Sequence, residues 1–529
     1  LSAITQTFAP AEKRRSLHAA LRLEVLSIVL SAPRRFIFLP MFLSPLPFAR
    51  LIYLLIPNFN DKTSQKHYCV SMVSKSKEYI TEGPIWKSII TFMLPIMLGM
   101  FFQQLYNTVD AIVVGRYVGK EALAAVGGGT TFFINLLLGF CGGLSTGASI
   151  IISQFFGAKK FRDLCSAVHT FFILSFVMGI VVTLVGISLS EFAMNLINTP
   201  SDIFPNAVTY LKIYFLGITP MFMYNTAAGV LRATGDSKTP FYILVIGCFL
   251  NIFLDFLFVA VLNWGIAGVG YATLISIITG AVLIMIKMFT TPEVYRVELS
   301  ELKANPSLLR KMFKLGVPSG LYSMMYTISN LIMMTFVNTF PTTTIAAWTA
   351  WGKLDALFWM SVSSMGMALN TFSGQNYGAK KYDRIKKGAL QGLLIMYLIT
   401  IALIILFRTC GRFIYGWFVP DEPQVIEMGI KIMLFLTPAF FLYVPNEILS
   451  GIIGGAGKTY ISMIVTFFAI CGTRMIWLYT SCRGTTDFIK VIHCYPISWL
   501  ISATVFFIYY KSEKWIPKSN LAVDKTVSD

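Results

Sequence analysis

Long apolar stretches separated by short polar connections dominate the sequence from residue 72 onward. Each stretch is close to the roughly 20 residues that an α-helix needs to cross a bilayer. Their apolar residues do not alternate with polar ones, which disfavours a membrane β-barrel. The pattern predicts an all-α polytopic membrane protein with twelve transmembrane segments, at 88–114, 122–150, 166–190, 206–230, 240–262, 267–289, 316–340, 344–370, 389–409, 427–450, 459–481 and 494–510.

The second six segments repeat the first six. Three landmarks recur at nearly constant spacing: Pro95 and Pro318, Gly157-Ala-Lys-Lys160 and Gly378-Ala-Lys-Lys381, and the pairs Gly229/Gly235 and Gly451/Gly457. Because each half has an even number of segments, both halves enter the membrane with the same polarity, and the internal repeat is parallel. Such a duplication predicts two six-helix bundles with a substrate between them.

The repeat also divides the chain into domains. We assign the bundles to 72–290 and 316–515, the cytoplasmic connection to 291–315 and a cytoplasmic tail to 516–529. Residues 1–71 form an N-terminal extension outside the repeat. Prolines and Arg50 interrupt its apolar run, and both are unfavourable in a spanning helix. We therefore expect the extension to be disordered or absent from the native protein, with Met72 as the natural start.

Composition and charge support this reading. Only 13% of the residues are charged, about half the roughly 25% typical of soluble domains. The net charge of +18 lies in short clusters between the segments, which indicates topology rather than nucleic-acid binding. Most lysines and arginines fall on one side, and the other side's connections hold Arg116, Lys120, Arg408, Arg412, Arg483 and Lys490. The distribution predicts a plasma (inner) membrane protein with both termini in the cytoplasm.

Ionisable residues inside membrane segments are candidate functional groups. Asp110 lies in the first segment, and Asn251 and Asp255 share one face of the fifth. Their distances from flanking lysines place them, with Thr273 of the sixth segment, in the outer half of the membrane. Two carboxylates, an amide and a hydroxyl suit Na⁺ or a shared proton. The alternative is that both aspartates only bond backbone or cap broken helices.

The second half lacks this set. The corresponding positions by average spacing are Ile332, Thr473 and Trp477. Its own ionisable residues include Lys353, Asp355 and Arg474, which we interpret either as a structural ion pair between Asp355 and Arg474 or as residues that line a substrate site. The cysteines and histidines show no CxxC or HExxH spacing, so we expect no other metal site.

Three stretches resemble the multidrug and toxic compound extrusion (MATE) transporters: Pro95–Arg116, Ala228–Phe241 and Asn251–Asp255. The resemblance covers residues 72–515 and is closest to the prokaryotic branch named for a DNA-damage-inducible member. It implies a cation-coupled antiporter that exports amphipathic or cationic organic compounds by alternating access. It also implies that Na⁺ or H⁺ binds at Asp110, Asn251, Asp255 and Thr273.

Two other functions fit the sequence less well. A flippase for lipid-linked saccharides would need several cations in the central cavity, where only Lys353 and Arg474 qualify. A membrane-embedded enzyme would need a catalytic set at membrane depth, and His169 has no evident partner. The glycine-rich stretch before Thr459 lacks the first glycine and the preceding strand of an ATP-binding loop. We therefore expect no enzymatic activity, no cofactor besides the coupling ion, and a monomer whose partners are the bilayer and small organic substrates.

Overall fold

A computed structural model describes residues 80–127, 129–418 and 422–517. The extension 1–71 and most of the tail 516–529 lie outside these residues. The helices are α1 (Ile85–Val113), α2 (Lys120–Gly127), α3 (Gly129–Gly157), α4 (Phe161–Leu196), α5 (Phe204–Leu216), α6 (Ile218–Ala233), α7 (Lys238–Asp255), α8 (Gly265–Thr290), α9 (Pro306–Val337), α10 (Thr342–Leu354), α11 (Ala356–Gly378), α12 (Tyr382–Phe418), α13 (Pro423–Gly455), α14 (Thr459–Val465), α15 (Thr473–Ser481), α16 (Phe488–Ile492) and α17 (Cys494–Lys511).

Ten helical stretches are long and apolar enough to cross a membrane. Two further crossings are interrupted, between α5 and α6 at Gly217 and between α10 and α11 at Asp355. Pro220 explains the first break, because it has no N–H to bond the carbonyl of Leu216. The all-α class with twelve transmembrane segments is confirmed, although the segments 206–230 and 344–370 are each two helices rather than one.

The outward faces of these helices are apolar. In α4, large side chains such as Phe176, Leu184 and Leu196 are more than half exposed in the isolated chain. Large contiguous apolar surface is unfavourable in water and marks contact with lipid. The faces of the outer helices therefore contact the bilayer, as the apolar segments predict.

The connection between the two halves is shorter than the predicted range 291–315. Helix α9 begins at Pro306, and the side chain of Asn305 caps it by accepting bonds from the N–H groups of Ser307 and Leu308. Basic residues just after Pro306 suggest a loop, but Asn-Pro is a helix-start signal. At the other end of the chain, Trp515 and Ile516 are buried, so the boundary between bundle and tail runs through a packed turn.

The first helix of each half packs its first turns against the other half. The first turns of α1, including Ile89 and Phe92, pack into the hydrophobic core of the second half. The first turns of α9, including Leu308 and Met312, pack into the core of the first half. Both regions lie at the end of the molecule that carries Lys159–Lys160 and Lys380–Lys381, which we call the basic side. These contacts join the two halves at the basic side.

Two glutamines at the basic side form a reciprocal contact between the halves. Gln154 of α3 donates from Nε2 to the carbonyl of Gly455 at 2.8 Å, and Gln375 of α11 donates from Nε2 to the carbonyl of Ala233 at 2.8 Å. The donors are equivalent positions of the repeat, and so are the acceptors. We call these two bonds the glutamine clamp.

Small residues allow the helices of the clamp to touch. A Cβ atom on Gly157 would overlap the backbone of Gln375, and one on Gly378 would overlap the backbone of Gln154. Helices α3 and α11 therefore cross backbone to backbone beside the clamp, where only glycine fits. The same kind of contact joins α3 to α9, at Gly143 with Gly320. In this structure the basic side is closed.

Candidate functional site

The first half places Asp110 and Asp255 side by side. Helices α1 and α7 run in the same direction, and their register is fixed where the Cys248 thiol donates to the carbonyl of Phe102 at 3.5 Å. About two turns further along both helices, the carboxyl groups of Asp110 and Asp255 lie within hydrogen-bonding reach of each other. The structure thus brings these two predicted residues together.

Asn251 and Thr273 flank the pair. Asn251 precedes Asp255 by about one turn of α7, on the same face. Helix α8 runs antiparallel to α7, and Gly247 of α7 faces the carbonyl of Ser276 in α8. Because the two helices run in opposite directions, the residue one turn after Gly247 lies level with the residue one turn before Ser276. Asn251 and Thr273 are these two residues. All four predicted residues therefore occupy one region of the first half.

These four side chains are buried, and most of their polar atoms lack a hydrogen-bond partner. Asp255 is 0% exposed, and Asp110, Asn251 and Thr273 are at most 7% exposed. Both carboxylate oxygens of Asp255 and one of Asp110 have no hydrogen-bond donor, and the Asn251 amide and the Thr273 hydroxyl are also without partners. Two ionised carboxylates have no proton to share, so the contact between Asp110 and Asp255 satisfies neither of them unless a proton or cation accompanies it.

Irregular helix geometry accompanies both aspartates. A π-helical segment, Val114–Val118, begins one turn after Asp110, and a second, Phe256–Val261, begins directly after Asp255. Such segments change the number of residues per turn and are frequent at functional sites. The arrangement is oxygen-rich, closed to water and suited to a proton or a monovalent cation. Among the described residues no cluster of three or more metal-ligating side chains is present.

The predicted ion pair between Asp355 and Arg474 is wrong. Asp355 lies at the break between α10 and α11, and its Oδ2 accepts a bond from Trp359 Nε1 at 3.0 Å. Arg474 is completely buried and bonds neutral oxygens instead. Lys353 is exposed in the last turn of α10 and forms no salt bridge within the described part of the chain. The three residues therefore do not form one cluster.

The structure also corrects the register of the repeat around this position. The thiol of Cys471 donates to the carbonyl of Met325 at 3.5 Å, which repeats the bond from Cys248 to Phe102 in the first half. Counted from these matched cysteines, the position of Asn251 corresponds to Arg474 and not to Thr473. Average spacing missed this by one residue because the two halves differ slightly in length between landmarks.

A polar cavity of about 350 Å³ lies between the two halves. Hydroxyl and amide side chains of both halves line it, together with one acid, Glu447, and one base, Arg232. Glu447 accepts a bond from the hydroxyl of Tyr443 at 3.2 Å, and Gly366 leaves the space that its carboxylate occupies. The cavity can hold a small organic molecule and offers it a single carboxylate.

Sequence reasoning did not identify this cavity. The position of Glu447 near the inner end of its apolar stretch suggests a solvated or structural acid, whereas the structure places it in the cavity lining, where an acid at membrane depth is a functional signal. The hydroxyl residues carry no comparable signal, because serine and threonine are common in membrane helices, where they bond the preceding turn. Their convergence on one cavity depends on how the helices pack.

Comparisons with known proteins agree with the duplicated architecture. A model of the MatE family matches residues 95–257 and again residues 318–480. The two matches begin at Pro95 and Pro318, the prolines that mark the internal repeat in the sequence.

Several curated proteins are similar along most of their length. The probable multidrug resistance protein YpnP of Bacillus subtilis (strain 168) is 28% identical over 444 residues, which cover 82% of this chain and 97% of that protein. The probable multidrug resistance protein YoeA of the same organism is 27% identical over 435 residues, which cover 81% and 94%.

Solved structures share the fold. An outward-facing multidrug resistance MATE family transporter of the MOP superfamily superimposes with a TM-score of 0.77 at 23% identity, over 83% of this chain and 98% of that one. A MOP superfamily transporter from Pyrococcus furiosus superimposes with a TM-score of 0.77 at 24% identity and the same coverage.

Proposed function

The chain belongs to the MatE family, and on that premise we propose that it is a secondary active multidrug efflux transporter. It exports amphipathic, often cationic organic compounds in exchange for Na⁺ or H⁺. The observation that supports the coupling is the buried pair of Asp110 and Asp255, in which three of the four carboxyl oxygens lack a hydrogen-bond donor. A carboxylate pair in such a place requires a proton or cation, which makes it a natural coupling site. Asn251 and Thr273 supply neutral ligands.

The substrate occupies the cavity between the halves. Its lining combines hydroxyl and amide groups with one aromatic ring, that of Tyr322, and Glu447 attracts a positive charge. A pyrophosphate-bearing lipid would need several cations there, whereas Arg232 is the one basic residue of the lining. Efflux of organic cations therefore fits the cavity better than flipping of lipid-linked saccharides.

We place the basic side of the molecule in the cytoplasm of a bacterial cell, because the cytoplasmic connections of membrane proteins carry an excess of lysine and arginine. The protein then works as a monomer in the plasma membrane, has no enzymatic activity and binds no nucleic acid. Assignment to the DNA-damage-inducible branch remains part of this proposal.

Transport by purified protein in lipid vesicles tests the function. A fluorescent lipophilic cation such as ethidium is loaded on the basic side, and Na⁺ and H⁺ gradients are imposed separately. We expect at least one gradient to drive ethidium out across the bilayer faster than in protein-free vesicles. Equal rates with and without protein under both gradients would refute the proposed antiport.

Glu447→Gln is expected to weaken the export of cations selectively. A charged hydrogen-bond partner contributes about 1.5–3 kcal/mol, so the apparent KM for ethidium should rise by roughly tenfold or more. A neutral substrate should be exported with nearly unchanged KM. The matched control is Glu427→Gln, which changes an exposed acid of the same helix. An equal KM change for both substrates would mean that Glu447 supports the structure rather than recognises charge.

The glutamine clamp should stabilise the closed basic side. Each bond is neutral and contributes about 1 kcal/mol, so Gln154→Ala or Gln375→Ala should shift the balance toward an open basic side by roughly fivefold. The readout is the rate at which a membrane-impermeant maleimide, added from the basic side, labels Ser450→Cys in the cavity. Gln424→Ala, an exposed glutamine of α13, is the control. An unchanged labelling rate in the Gln154→Ala/Gln375→Ala double variant would contradict this role.

A further inference from the structure

Arg474 is a fully buried cation without an acidic partner among the described residues. Its Nε donates to the hydroxyl of Ser498 at 3.4 Å, and its Nη1 donates to Ser329 at 3.4 Å and to Asn330 Oδ1 at 3.2 Å. All three acceptors are neutral. A buried charge is normally paired, so a guanidinium held by neutral oxygens alone indicates a missing negative group.

The surroundings of Arg474 leave one edge of the guanidinium for that group. The ring of Tyr495 covers one part of it, with the guanidinium carbon 4.4 Å from the ring centroid, and the ring of Tyr326 lies at 5.3 Å. Nε and Nη1 are taken by the neutral oxygens. Nη2 is buried and has no hydrogen-bond partner. A ligand would therefore bind along the Nη2 edge.

Two more buried donors lie in the same cluster without acceptors. The hydroxyl of Tyr326 is within reach of the guanidinium and of the Tyr443 side chain, but it forms no well-aligned hydrogen bond with either. Nε1 of Trp499 is also unpartnered, and the Trp499 ring packs against Tyr495 at 5.5 Å. An indole N–H can only donate, and a guanidinium has no acceptor. The cluster is thus rich in donors that an anion would satisfy.

The internal repeat relates this cluster to the carboxylate pair of the first half. The matched bonds of Cys248 and Cys471 put Arg474 where the first half has Asn251. A π-helical segment follows the position in the first half, beginning at Phe256, and precedes it in the second half, ending at Gly472. The first half has buried carboxylate oxygens without donors there, and the second half has a buried guanidinium N–H and an indole N–H without acceptors. The two equivalent places carry groups of opposite charge.

We propose that Arg474, with Tyr326 and Trp499, forms a binding site for a small monovalent anion in the second half. The ligand is a singly charged acceptor, either a free halide such as chloride or the carboxylate of an organic substrate. Asp355 does not fill the site, because its carboxylate bonds Trp359 and forms no salt bridge with Arg474. The site is separate from the proposed cation site and does not depend on the coupling ion.

Thermal unfolding of the purified protein in detergent tests the site. The sodium salts of chloride, benzoate and gluconate are compared at equal ionic strength, because a ligand that binds the folded state raises Tm with its concentration. We expect a saturable rise in Tm with chloride or benzoate relative to gluconate, and its loss in Arg474→Gln. Lys353→Gln, an exposed lysine near Asp355, should keep the full rise. A rise that persists in Arg474→Gln, or no rise in the unmodified protein, would overturn the proposal.

Bromide identifies the ligand without any substitution. Crystals of the unmodified protein grown in sodium bromide should show an anomalous peak within hydrogen-bonding distance of Arg474 Nη2. A peak there means a free halide, and a benzoate-dependent Tm rise without a bromide peak means a carboxylate. If Asp355 were the true partner in solution, the anion effect would appear only in Asp355→Asn, and that result would also overturn the proposal.

Discussion

Replacing Asp255 by asparagine is expected to abolish gradient-driven export while the protein stays folded. Asparagine keeps the shape of the side chain and removes the charge that must be neutralised by the incoming ion. Because the ionised carboxylate is buried without donors, its loss should cost little stability and can increase it. Export of ethidium by Asp255→Asn in vesicles with an imposed Na⁺ or H⁺ gradient should fall to the level of protein-free vesicles.

Asp110→Asn should have the same effect, because the two carboxyl groups form one site. Asn251→Ala and Thr273→Ala each remove one neutral ligand and should reduce the coupled rate only in part. Asp202→Asn, which changes an exposed acid outside the helices, serves as the matched control. Export at the unmodified rate by folded Asp255→Asn, with folding checked by thermal unfolding and gel filtration, would place the coupling site elsewhere.

The grouping of Asp110, Asn251 and Asp255 could be predicted from the sequence because its signals are local. An aspartate in a long apolar stretch is expensive, and few positions can carry one, so Asp110 and Asp255 are conspicuous. Helical periodicity then places Asn251 on the face of Asp255. The same reasoning failed for Asp355 and Arg474, because it assumed that opposite charges in one bundle must pair. Aromatic faces and neutral oxygens hold Arg474 instead, and only the packing of three helices reveals them.

Contacts between the halves were harder to predict. Gln154 and Gln375 stand at the same distance before the repeated Gly-Ala-Lys-Lys motif, so the pairing was visible as a pattern. The bonds themselves could not be predicted, because each glutamine bonds a backbone carbonyl of the other half. Every residue has such a carbonyl, so the sequence does not show which one a side chain reaches. The basic motif has a sufficient explanation in membrane topology, which gives no role to the polar residue one turn earlier.

Closing the basic side with a disulfide is expected to arrest export completely. If the halves rock against each other to load substrate, the contact between α3 and α11 must open in every cycle. A Cβ atom on Gly374 would lie 3.1 Å from the Cβ of Ser153, a few tenths of an ångström below the usual range for disulfides. A small shift of either helix therefore lets Ser153→Cys and Gly374→Cys form a bond beside the glutamine clamp.

The oxidised double variant should show no gradient-driven export of ethidium, and reduction with dithiothreitol should restore it. Each single variant under the same oxidant is the control, and a mass shift on a peptide map confirms the bond. Undiminished export with the bond fully formed would show that the basic side does not open during transport, because a covalent link about 2 Å long cannot span separated helices.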